Sequence, residues 1–144
     1  MKQIRVTILI IATTLLLCAC PKSEDNINPY ITIINKSNTS IVWQPRMINI
    51  GEINEIFDCN YQIHEQITPN SQYMFLANDR KNDFENELKT HSLQITLMNF
   101  ETFDKFKNEP CDTIRKYVPV LHTYRLTLTD LQRMNWTVVY PPEK

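Results

Sequence analysis
A single glycine, Gly51, serves all 144 residues of this chain. Glycine adopts positive φ without steric cost, and motifs that cradle phosphate or bend a strand sharply need two or three of them. The dinucleotide fingerprint, the phosphate-binding loop and the Gly-x-Ser-x-Gly nucleophile elbow are therefore absent. Turns must be built from something else. Fourteen asparagines are the natural substitutes, because Asn visits the left-handed region more readily than most side chains. Fifteen Lys and Arg against sixteen Asp and Glu give a formal net charge of -1, which excludes a strongly basic nucleic-acid binder.

From Tyr30 onward the sequence reads as short β-branched and aromatic runs separated by polar turns. The first strand covers Tyr30–Asn35 and stops at Asn-Lys-Ser-Asn. A second resumes at 40–43, and Pro45 ends it or marks a sheet edge. Residues 46–50 alternate loosely up to Gly51. Residues 61–67 and 72–77 are two further strands, parted by Pro69-Asn70-Ser71. The charged stretch 78–90 reads as a loop in which Phe84 and Leu88, at i, i+4, permit a turn or two of helix. Alternation is clearest over 92–100, with Leu93, Ile95 and Leu97 on one face and Gln94, Thr96 and Met98 on the other. Helical spacing follows over 102–107 and 111–117, then a strand over 120–128. Thr129-Asp130-Leu131-Gln132 reads as a capping box opening a helical turn to Asn135. Residues 136–140 form the last strand before Pro141-Pro142. Seven or eight short strands with a short helical insertion predict a mainly β chain, an antiparallel β-sandwich over 30–144. An α+β domain is the alternative.

The residues before Tyr30 are of another kind. Lys2 and Arg5 precede an apolar run over 6–17, too short for a bilayer that takes about 20 residues to cross. The run ends in Leu17-Cys18-Ala19-Cys20. With Leu at -3, a small Ala at -1 and Cys at +1, this segment resembles the lipobox of bacterial lipoproteins. That resemblance implies cleavage by signal peptidase II after a signal peptide of residues 1–19, and lipidation of Cys20. It also implies a membrane partner, because two or more acyl chains anchor stably where one binds marginally. Residues 20–29 then form a polar tether. Its Glu24-Asp25 pair is similar to the acidic export signals of Bacteroidota outer-membrane lipoproteins, and reads equally as a solvated linker. The ending over 124–141, with Leu-Thr-x-x-Asp-Leu and a Trp-containing strand, is similar to small uncharacterised Bacteroidota lipoproteins. The expected location is the outer membrane, with the surface and periplasmic faces both open. Without residues 1–19 the chain keeps thirteen basic and sixteen acidic side chains, a net charge of -3 with both signs interspersed.

Beyond Cys20 only Cys59 and Cys111 remain. In an oxidising compartment they have one pairing available, a disulfide. The alternatives are two buried thiols, or a thiol–imidazole pair with His64, His91 or His122 as base. The three histidines lack metal-site spacing, so no metal or other cofactor is expected. Asp79, Asp83, Glu85 and Glu87 lack the glycine and ligand order of a calcium loop. Trp43 and Trp136 are candidates for stacking on a sugar ring, against the plainer role of core packing. Asp112-Thr113-Ile114 resembles the sequon of Bacteroidota O-glycosylation, with Thr113 as acceptor. Five serines without a nucleophile setting argue against an enzyme. The functional expectation is a lipid-anchored binding or accessory module for a protein or glycan partner. A ligand-free envelope-assembly component is the alternative, and a hydrolase is the least favoured reading.

Overall fold
The structure, a computed structural model, describes residues 30–52, 57–59, 63–76 and 81–143. The expected signal segment, Cys20 and the tether lie outside the described residues. In chain order the elements are β1 (Tyr30–Asn35), β2 (Ile41–Asn49), β3 (His64–Ile67), β4 (Ser71–Leu76), α1 (Lys81–Glu87), β5 (His91–Asn99), α2 (Phe100–Phe106), α3 (Cys111–Tyr117), β6 (Val120–Leu126), α4 (Leu128–Arg133) and β7 (Thr137–Tyr140). The strands form a three-stranded sheet, β4-β1-β7, and a four-stranded sheet, β3-β2-β5-β6. The chain is mainly β and its two sheets are consistent with a sandwich. The four short helices fall on the four segments where the sequence offers helical spacing or a cap. One detail differs from the sequence expectation: β1 pairs with β7 in parallel while the other pairs are antiparallel. The parallel pair follows from α4, which carries the chain from β6 at the edge of one sheet to β7 in the other.

Two apolar layers hold this arrangement. The first lies between the sheets, where Ile31, Ile33, Ile41, Trp43, Ile95, Leu97, Leu131 and Val138 are fully buried. Phe84 and Leu88 close one end of it, so the charged stretch forms a helix because its i, i+4 pair has a core to enter. The second layer lies on the far face of the four-stranded sheet. Val42 and Met98 meet Phe57, Ile114 and Val118 there, with Phe100, Phe103 and Phe106 packed around them. The four-stranded sheet is thus buried on both faces. Gln44, Gln94 and Thr96, on the face turned away from the inter-sheet layer, are 2, 2 and 1% exposed. Gln44 meets the cost of burial with its whole amide: Nε2 donates to Asp58 O at 2.7 Å, and Oε1 accepts from Asp58 N at 3.1 Å.

Pro45 does not end β2. Nine residues pair continuously with β5, whereas the pairing with β3 stops at Trp43. Pro45 therefore stands where one side of the strand has lost its described neighbour, and the missing N–H is tolerated there. The capping box sits two residues earlier than expected. Thr127 is the N-cap, its Oγ1 accepting from Asp130 N at 3.2 Å, while the Asp130 carboxylate accepts from Thr127 N at 3.1 Å. Asp performs here the reciprocal role sought in Gln132, and β6 stops at Leu126 in consequence. Asparagine takes left-handed positions at Asn70 (φ 55°) and Asn135 (φ 49°), as the glycine shortage predicts, and Gly51 takes its own at 93°. Trp136 adopts φ 57° as well, so β7 begins one residue later than the sequence suggests.

Candidate functional site
Both sheets end on the same side in an edge strand, β6 in one and β7 in the other. Between these edges lies an open groove of about 370 Å3, lined by Tyr124, Met134, Thr137, Val139, Pro142 and Glu143. The backbone of β7 explains its shape. Thr32 N donates to Trp136 O at 2.9 Å and Lys36 N donates to Tyr140 O at 2.6 Å, so Thr137 and Val139 turn their carbonyls away from β1. The Tyr124 hydroxyl reaches across from β6 and donates to Val139 O at 2.6 Å. That bond ties the two edges together and occupies one of the exposed strand carbonyls.

The electrostatics of the groove centre on Tyr124 and Glu143. Burial pushes the Tyr124 phenol up to about 12, with the neighbouring Tyr140 adding to the shift, so it stays a neutral hydrogen-bond donor at neutral pH. Glu143 has its carboxylate on the Lys36 ammonium at 2.5 Å, which holds its pKa below the ordinary value. The groove's apolar wall of Met134, Val139 and Pro142 suits an apolar side chain, and the outward backbone of β7 suits an extended segment beside it.

A second feature lies on the outer face of the three-stranded sheet. Across strands, Tyr30 stands opposite Leu76, and Thr32 stands between Met74 and Thr137. Met74, Tyr30 and Leu76 are 55, 46 and 38% exposed. No charged residue occurs in β1, β4 or β7. The far face of the other sheet is roofed by α2 and α3, whereas nothing described covers this one. The sequence signal for it was present in β4: Tyr73 and Phe75 point inward, so Met74 and Leu76 are apolar residues at outward positions.

The residues singled out from sequence fall in different places. Cys59 and Cys111 form a disulfide with Cα atoms 5.7 Å apart, which removes both the free-thiol and the thiol–imidazole readings. Trp43 is 0% exposed and packs against Tyr73 and Phe75, with ring centroids 5.7 and 4.3 Å away. It has no face to offer a sugar, because the inward side of β2 carries it into the core. Trp136 is half-buried against Phe84 and joins the same layer. Thr113 lies half-buried in the first turn of α3, beside exposed Asp112. His91 Nδ1 lies 2.9 Å from Thr90 Oγ1, and His122 packs edge-on against Tyr124. The His64 side chain and Asp79 lie outside the described residues, as does Cys20. Among the described residues, no three of His, Cys, Asp and Glu converge on a point, and no helix is long and apolar enough to cross a membrane. The chain matches no protein-family model, no curated protein and no solved structure.

Proposed function
We propose that this chain is a bacterial outer-membrane lipoprotein, anchored through Cys20, whose β-sandwich serves as a binding or accessory module for a protein partner in the envelope. The observation that carries this reading is the Cys59–Cys111 disulfide downstream of Leu17-Cys18-Ala19-Cys20. Disulfides persist in the oxidising compartments to which a lipoprotein signal would deliver the domain. A protein partner is favoured over a glycan because Trp43 has no exposed ring and the groove between β6 and β7 combines apolar side chains with outward strand backbone.

Metabolic labelling with an alkyne-bearing palmitate tests the anchor. Label is expected on the wild type and on Cys18→Ala, and is expected to vanish from Cys20→Ala. Label that survives in Cys20→Ala overturns the assignment. Protease treatment of intact and lysed cells then separates the two faces. Digestion before lysis supports Glu24-Asp25 as an export signal, and protection until lysis directs the search to periplasmic partners.

A further inference from the structure
We infer that the corner formed by Tyr30, Met74 and Leu76 seats the domain on the lipid bilayer, an inference that rests on the anchor at Cys20. The three side chains belong to neighbouring strands and share one face, with Tyr30 directly opposite Leu76 and Met74 two residues from Leu76 along β4. They are among the most exposed large apolar residues described, and their strands carry no charge to be desolvated. Tyrosine and methionine at such a corner match the chemistry of the bilayer interface, where an amphipathic ring keeps its hydroxyl in water and its body in the acyl boundary.

Chain length selects the bilayer over other occupants. Tyr30 is the tenth residue after Cys20, a separation of at most about 35 Å when extended and about 17 Å as a flexible coil. The lipid anchor therefore holds this end of β1 at high effective concentration over the membrane. Val139, which pairs with Ile34, and Glu143 place most of the groove toward the opposite end of β1, while Thr137 stands level with Met74 across Thr32.

The test uses the full lipidated chain in vesicles of phosphatidylethanolamine and phosphatidylglycerol. A bimane fluorophore is attached to Met74→Cys and, in a separate sample, to Tyr117→Cys, an exposed position on α3 over the opposite sheet. Lipids brominated in the acyl chain are expected to quench the probe at 74 several-fold more than the probe at 117. Equal quenching, or none at 74 in protein that carries palmitate, overturns the seating while leaving the anchor intact. Disulfide cross-linking of unlabelled Met74→Cys to a second copy on the vesicle overturns it in favour of a dimer. Failure to incorporate palmitate is a different result: it removes the anchor, and the seating with it.

Discussion
Asn35 shows how one side chain can fix a corner of this fold. It is 0% exposed, and its Nδ2 donates to Thr39 O, Ile67 O and Thr68 O at 2.8, 3.0 and 3.2 Å. Its Oδ1 accepts from Ser37 N and Ser37 Oγ. One amide thus joins the β1–β2 connection to the β3–β4 turn, linking chain that belongs to different sheets. Asn35→Ala removes this amide from three carbonyls, of which Thr39 O keeps the Ser37 hydroxyl and Thr68 O keeps Ser71, and is expected to lower stability by about 2–4 kcal/mol in urea unfolding. Tyr124 makes the same kind of link at the opposite edge, and its protonation adds a pH signature. Its folded pKa of about 12 lies above the ordinary 10.0, so the folded state holds the proton more tightly than the unfolded chain does. The corresponding stability is complete below pH 10 and is lost as the pH rises toward 12. Tyr124→Phe is expected to cost about 1 kcal/mol at neutral pH and to flatten the alkaline loss. Urea titrations of both proteins from neutral to alkaline pH check the two halves together.

Among the elements, α4 depends most openly on local chemistry. Six residues make a helix too short to stand on propensity, so its cap and the buried Leu131 hold it in place. The hydrogen bond from the Thr127 hydroxyl, seconded by the Thr127 N–H, holds the Asp130 carboxyl below its ordinary value of 3.8. A lowered pKa contributes stability that is present above that value and disappears as the pH falls through the folded one. Thr127→Ala is therefore expected to cost about 1 kcal/mol at neutral pH, and the gap from wild type should narrow on acidification. Thermal melts at neutral and acid pH measure it. The cap is misplaced from sequence because three threonines and one acid crowd 123–130, and only geometry decides which Thr faces which N–H. Strands were easier to read, since β-branched runs such as that of β1 leave little choice. What alternation could not show in β5 was a second roof. Gln94, Thr96 and Met98 read only as the opposite face of the strand, and α2, α3 and residues 57–59 bury it. The groove was illegible for the same reason, being assembled from β6, the end of α4 and β7.

At the scale of the molecule, the two faces of the four-stranded sheet rest on different forces. The inter-sheet layer is closed by strands paired along their length, with Trp43, Ile95 and Leu97 wholly buried. The outer layer relies on two seven-residue helices and a short loop, and α2 has no fully buried residue of its own. The Cys59–Cys111 bond joins that loop to the first residue of α3 across 52 residues. Removing it restores the freedom of a long loop to the unfolded chain, a loss of about 4 kcal/mol on the chain-entropy account. Its effect in the folded state should be local, because Val42 and Met98 stay on their strands while Phe57, Ile114 and Val118 lose the tie that gathers them. The double variant Cys59→Ser/Cys111→Ser is therefore expected to fold with its inter-sheet core intact. Amide exchange should speed up across α2 and α3 well before it does in β1, β2 and β5. Uniform acceleration through both sheets would instead mean that the roof and the sandwich form one cooperative unit. The disulfide would then be a condition for the whole fold, and export to an oxidising compartment a requirement for folding at all.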